Sequence, residues 1–179
     1  MWYRTQYTSP LGELLLASDG ASLTGLWIEG QKYERATVVG EGQQRDELPV
    51  FQMTREWLDR YFAGQHPAAS ELPLAPEGSD FRQAVWKILL AIPYGRTVTY
   101  GEIAKELAGR LGRAHMSGQA VGGAVAHNPI SIIIPCHRVV GSDGNLTGYA
   151  GGIQKKVWLL CHEGADLSRL SVPVRGTAL

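Results

Sequence analysis

A proline-rich segment near the middle of this chain separates a mostly strand-like pattern from a mostly helical one. Residues 65–79 (QHPAASELPLAPEGS) hold three prolines and no helical period, so they read as a linker. Before them the apolar residues fall in short runs bounded by turn residues. Thr5–Ser9 and Gly12–Ser18 flank a turn at Pro10, Asp19-Gly20 is a hairpin dipeptide, and Leu23–Glu29 closes at Gly30. Residues 40–47 are polar and read as a loop. From Leu48 to Phe62 the spacing of Val50, Phe51, Trp57, Leu58, Tyr61 and Phe62 is helical. The chain of 179 residues therefore divides into two small domains, 1–78 and 79–179. The first is α/β, with antiparallel strands plus a helix. Together they have enough chain to bury cores without disulfides.

The second half turns mostly helical. Phe81, Val85, Trp86, Ile88 and Leu89 mark one face of a helix ending before Pro93. Thr99 with Glu102 three residues on is a capping box, opening a helix with Ile103, Ala104 and Leu107 on one side. Ser117 caps a further helix, Gly118–His127, which Asn128-Pro129 ends. Helix, short connection, helix is a helix-turn-helix pattern, which small helical bundles share. Gly122 and Gly123 lie inside the second of these helices, where each costs about 0.5–1 kcal/mol against alanine. Close helix packing and a smooth surface for a ligand or a nucleic-acid groove both account for them.

The formal net charge is zero, but it is unevenly divided. Residues 1–79 carry six Lys/Arg against eleven Asp/Glu, and residues 80–179 carry eleven against six. A basic second half fits a nucleic-acid partner, and chance accounts for an excess this small as well. No apolar run approaches the roughly 18 residues of a membrane span, and the N-terminus lacks the apolar stretch of a signal peptide. A cytoplasmic protein is expected. No apolar stripe demands a second copy, so a monomer is expected. Two cysteines, Cys136 and Cys161, are too few for an all-thiolate zinc site, and neither metal nor organic cofactor is expected.

Each cysteine is then judged by its surroundings. Ile132-Ile133-Ile134 is a short strand candidate ended by Pro135, and Cys136-His137-Arg138 follows at once. A thiol beside an imidazole and a guanidinium is in surroundings that lower its pKa. On an extended chain Cys136 and His137 would point opposite ways, so they meet only through a sharp turn or a bridging water. A buried cysteine that only fills core is the other reading. Glu163 ends the last helix, Ile153–Glu163, where an acid opposes the helix dipole at a cost of roughly 0.3–1 kcal/mol. Pairing with His137 would explain it, and so would a solvated surface position. Cys161, after Trp158-Leu159-Leu160, reads as packing. Five glycines between 141 and 152 make a loop with room for a planar ligand beside Tyr149.

Pro135-Cys136-His137-Arg138-Val139, after Asn128-Pro129-Ile130-Ser131-Ile132-Ile133-Ile134, resembles the active-site signature of the O6-alkylguanine-DNA alkyltransferases, also called methylated-DNA–protein-cysteine methyltransferases. The resemblance runs from about Phe81 to Gly164. It includes Val98-Thr99-Tyr100, Ala120-Val121-Gly122-Gly123, Gly148-Tyr149-Ala150-Gly151-Gly152 and Trp158-Leu159-Leu160 through Glu163-Gly164. It implies a ribonuclease H-like N-terminal domain and a winged-helix-like C-terminal domain with a helix-turn-helix. It implies a DNA repair protein acting on double-stranded DNA that carries O6-alkylguanine, with O4-alkylthymine as a second candidate. The damaged base leaves the stack and the alkyl group passes irreversibly to Cys136.

In that scheme His137, through a water, takes the thiol proton and Glu163 polarises His137. Tyr100 supports base flipping and protonation of the departing guanine. Asn128 joins the recognition helix to the active-site segment. Val139, Tyr149 and Ala150 line the base pocket. The helix holding Gly122 enters the minor groove. The thioether product cannot be reopened by any base in such a site, so each molecule turns over once. Gln119 stands where the family usually has an arginine that fills the gap left by the flipped base. The connection Gly109–Ser117 is longer than usual and carries Arg110 and Arg113, which are candidates for the phosphate contacts. Two other functions remain open: a module that recognises alkylated bases without removing them, and a thiol hydrolase built on Cys136, His137 and Glu163.

Overall fold

Strand β1 (Tyr3–Ser9) turns through Pro10 into β2 (Gly12–Ser18), and β3 (Leu23–Ile28) follows antiparallel. This computed structural model describes residues 1–172. Leu14 pairs with Ile28 and Leu16 with Leu26, so these four, with Thr5, fall on one face of the sheet. Helix α1 (Pro49–Phe62) packs there, burying Val50, Phe51, Thr54, Trp57, Leu58 and Tyr61. The opposite face is also covered, by a cluster of Trp2, Ala17 and Trp27. Gly25 makes that cluster possible: a Cβ there would meet the Trp27 ring at 2.2 Å.

The polar stretch 40–47 is not all loop, as its composition led us to expect. Gln43–Gln44 forms β4, parallel to β1 at the sheet edge, in the order β3-β2-β1-β4. Its bonds are main-chain ones, Gln43 N to Trp2 O and Arg45 N to Arg4 O. An exposed edge strand buries neither face, so hydrophobic alternation cannot reveal it. The other edge, β3, is met by a later stretch of chain. Leu26 N donates to Pro129 O and Ser131 N to Leu26 O. Pro129–Ile133 thus joins residues 1–78 in one compact unit, while Ser79–Asn128 and the chain from Ile134 onward make the other.

Ile132–Ile134 is not a strand either. Ile130 makes one bridge to Leu26, and the chain then turns with Ile132 at φ 71°. All of these isoleucines are buried. A short apolar run reports full burial and says nothing about backbone shape. A β-branched residue in the left-handed region is strained and is held there by its surroundings.

In the second unit, Ser79 caps α2 (Asp80–Leu90), accepting from Arg82 N, and Thr99 with Glu102 forms the capping box of α3 (Tyr100–Arg110). Ser117 caps α4 (Gly118–Ala126). These three helices pack together, and Trp86 Nε1 donates to Ala124 O at the α2–α4 contact. Two short parallel strands, β5 (Val98–Thr99) and β6 (Val139–Val140), place the start of α3 beside the chain leaving Cys136. The last helix, α5 (Ile153–His162), packs through Leu160 on Val140 and Leu146.

Candidate active site

Cys136 opens a tight turn, Cys136–Arg138, and that turn decides its neighbours. At three residues per turn the side chains of Cys136, His137 and Arg138 fan out around one axis instead of alternating. Pro135, at φ −82° and ψ 64°, leads into it as an inverse γ-turn closed by Cys136 N on Ile134 O at 2.8 Å. Asn128, just after α4, steadies the same segment. Its Nδ2 donates to Ile134 O at 2.8 Å, and its side chain hydrogen-bonds the Cys136 thiol.

Glu163 caps the end of α5 and is almost wholly enclosed. His137 Nε2 lies 2.7 Å from its Oε2, and Arg138 donates through Nε at 2.7 Å and Nη2 at 3.1 Å. Gly95 N also reaches it, at 3.3 Å. Burial alone would raise this carboxyl. The hydrogen bonds and charges of His137 and Arg138 outweigh burial and hold it well below the usual carboxylate range. Arg138 also donates to Ile92 O and lies over the Tyr94 ring. The acid that opposes the α5 dipole is thus held by two side chains and a main-chain N–H.

This arrangement fixes the histidine tautomer. An ionised Glu163 only accepts, so His137 Nε2 carries a proton. Burial keeps the ring neutral by pushing its pKa down, against the pull of Glu163. Nδ1 is then the bare nitrogen, buried and without a protein partner among the described residues. It is a base ready to accept.

The thiol itself differs from the expectation of a lowered pKa. Burial dominates and pushes Cys136 up, with Asn128 and Lys156 only partly opposing it. The imidazole is neutral and the Arg138 charge is taken up by Glu163, so adjacency in sequence supplies little net positive charge. At rest the group is a thiol.

Three further residues surround Cys136. Tyr100, the first residue of α3, donates to Thr147 O at 3.2 Å, and burial raises its phenol to about 12, so it remains a donor at neutral pH. Tyr149, in the glycine-rich loop, has a buried hydroxyl with no partner among the described residues, and burial raises it well above its usual range. Lys156, fully buried on α5, donates to Val139 O and to Thr147 O at 2.8 Å. Val139 is buried in β6, and Ala150 follows Tyr149 in the loop.

Sequence reasoning gave Lys156 and Gly95 no role, and took Arg138 only as a charge beside the thiol, not as the partner of Glu163. Only Lys156 leaves a signal, a charge on the buried stripe with Leu159, Leu160 and Glu163. Cys161 is exposed on α5 instead of packed, because the apolar run Trp158–Cys161 is wider than the buried stripe. Among the described residues no cluster of three or more potential ligands could hold a metal, and no helix is long and apolar enough to cross a membrane.

Two family profiles account for most of the chain. The ribonuclease-like domain of 6-O-methylguanine DNA methyltransferase matches residues 2–76, and the DNA-binding domain of the same family matches residues 80–165. The chain belongs to that methyltransferase family. It is 46% identical over 158 residues to the methylated-DNA–protein-cysteine methyltransferase of Haemophilus influenzae, covering 88% of this chain and 84% of that one. The crystal structure of the Mycobacterium tuberculosis O6-methylguanine methyltransferase superposes with TM-score 0.78 at 41% identity, covering 98% and 97% of the two chains. A second structure from that organism, in complex with DNA, superposes at TM-score 0.75 and 41% identity, covering 94% of each.

Helices α3 and α4 pack together within the segment that matches the family's DNA-binding domain. Gln119 is exposed in the first turn of α4, and Gly122 is half-exposed one turn on. A Cβ at Gly122 or Gly123 would meet nothing within 4 Å, so close packing does not explain the two glycines. Arg110 is paired with Glu106 at 2.6 Å on the surface of α3. Arg113 is exposed in the connection and makes no ion pair among the described residues.

Proposed function

We infer that this methyltransferase repairs O6-alkylguanine in DNA by moving the alkyl group to Cys136, once per molecule. The observation that carries this reading is the enclosed array in which Glu163 orients His137 and leaves Nδ1 bare, on the residue that follows a buried thiol in one tight turn. His137 takes the thiol proton through one water. The sulfur attacks the alkyl carbon, the S–C bond forms as the C–O6 bond breaks, and the guanine leaves with a proton. Tyr100, still protonated, supports that last transfer. O4-alkylthymine offers the same leaving chemistry.

A thiol this deep cannot reach a base inside a duplex, so the base must flip out. Val139, Tyr149 and Ala150 line the space it enters, Asn128 ties α4 to the reactive turn, and Gln119 fills the gap left behind. The open side of α4 suits the minor groove, because Gly122 and Gly123 keep its surface low without serving any packing need. Arg113 is the better phosphate contact, since Arg110 already faces an acid. The two-stranded β5–β6 pair beside the helix pair supports a winged-helix-like reading of residues 79–179, with 1–78 as a ribonuclease H-like scaffold. A cytoplasmic monomer needing no cofactor completes the reading.

Titration with methylated duplex tests it. Methyl transfer should stop at one equivalent per protein, with the mass of one methylene added at Cys136. Continued turnover would mean a thiol hydrolase, and no adduct a recognition module.

The glycines give a separate test. Gly122→Ala should stabilise the folded protein by about 0.5–1 kcal/mol in urea melts, because nothing blocks the methyl and the helix gains. The same change should slow repair of duplex DNA while sparing free O6-benzylguanine. Unaltered duplex repair would remove Gly122 from the groove.

A further inference from the structure

Among the described residues Lys156 is the one fully buried lysine, and the alkyl-transfer scheme gives it no role. It lies two turns before Glu163 on the same side of α5, so one helix face presents both an ammonium and a carboxylate to the Cys136 turn. Its Nζ bonds the carbonyls of Val139 and Thr147, one on each side of the loop that leads to Tyr149. Among the described residues no carboxylate lies within ion-pair distance of it. A buried charge without a counter-ion is costly, and a neutral amide would serve two carbonyls without that cost.

Its charge reaches Cys136 and His137, and the other charged and titratable groups of the site are Arg138 of the turn, Glu163 of its own helix, Tyr100, which shares the acceptor Thr147 O, and Tyr149 of the loop. Arg138 and Glu163 cancel, His137 is neutral, and both tyrosines stay protonated. Lys156 is what remains uncancelled. We propose that Lys156 is a positioning residue for alkyl transfer, whose buried ammonium is the fixed countercharge for the negative charge that Cys136 Sγ takes on as its proton leaves and gives up as the S–C bond forms. The proposal rests on Cys136 being the acceptor. Lys156 keeps its protons throughout, while the thiol proton travels by way of His137 to the departing guanine. An interaction strongest when the sulfur carries charge lowers the barrier without tightening ground-state binding.

The pH dependence follows with a definite sign. Burial pulls the Lys156 ammonium down to about 8, with the Cys136 charge acting the other way. The countercharge is present below that pH and lost above it. Single-turnover rates with free O6-benzylguanine, which needs no DNA contact, read this between about pH 6 and 10.

Wild-type rates should fall as pH rises through about 8. Lys156→Met should be slower at neutral pH by at least about tenfold. It should show no fall near pH 8, and its thiol should titrate higher. Lys156→Arg, charged at every pH tested, should recover part of the rate and also lose the alkaline fall. A wild-type rate that never falls, or a folded Lys156→Met with the wild-type profile and thiol titration, overturns the proposal. If Lys156→Met does not fold, the wild-type profile decides alone. Mass analysis keeps the two readings apart: an adduct on Cys136 without the alkaline fall removes only the role of Lys156, and no adduct removes the acceptor.

Discussion

Cys136→Ser should lose alkyl transfer by a factor on the order of 10⁴ or more, the largest effect expected of any single change. A hydroxyl in the same place has a far higher pKa than a thiol, and sulfur is the better nucleophile toward saturated carbon. His137 at rest is a neutral base whose basicity burial has lowered, so it is ill matched to a serine hydroxyl. The volume change is small, and affinity for methylated duplex should survive. Cys161→Ala should transfer at the wild-type rate, because Cys161 faces solvent on the far side of α5 from Leu159 and Leu160. Methyl transfer from labelled duplex, with gel-shift affinity measured alongside, separates loss of chemistry from loss of binding. Appreciable transfer by Cys136→Ser would require another acceptor and end the mechanism.

Local signals are legible in this sequence and non-local ones are not. The Thr99–Glu102 capping box and the Ser117 cap need only four residues to be read, and both are present. The meeting of His137 and Glu163 is legible as a conflict, since an acid at a helix C-terminus lacks a local reason to be there. The tight turn at Cys136 is legible only as a condition, because Pro135 permits several backbones. β4 is hidden because its residues are polar on both faces, and the bend at Ile132 because burial alone makes that run apolar. Arg138 stands beside His137 in the chain, yet its partner is 25 residues away. No pattern of spacing shows that it cancels Glu163 and so leaves the thiol dependent on Lys156.

Arg138→Met should cost roughly 3–5 kcal/mol of stability, because it leaves the enclosed Glu163 carboxylate without its main countercharge. The Tyr94 ring and Ile92 carbonyl lose a partner as well. Removing both charges in Arg138→Met with Glu163→Gln should cost less than Arg138→Met alone, since no ion is then stranded. The pH dependence has a fixed sign. Glu163 is depressed in the folded protein, so its contribution is present above its unfolded value of 4.5 and lost as pH falls below it. His137 is also depressed, so the unfolded state gains protons first as pH drops through 6.5. Wild-type stability should therefore fall in two acid steps.

In Arg138→Met the Glu163 charge acts on His137 alone and raises its pKa, because Arg138 normally opposes protonation of that ring. Alkyl transfer near neutral pH should slow and recover at higher pH as His137 returns to the neutral base. Urea melts from about pH 4 to 8, with rates on O6-benzylguanine over the same range, test both halves. A loss of under about 1 kcal/mol would mean that Arg138 and Glu163 behave as a solvated surface pair. An unmoved acid limb would mean that Arg138 does not oppose the protonation of His137.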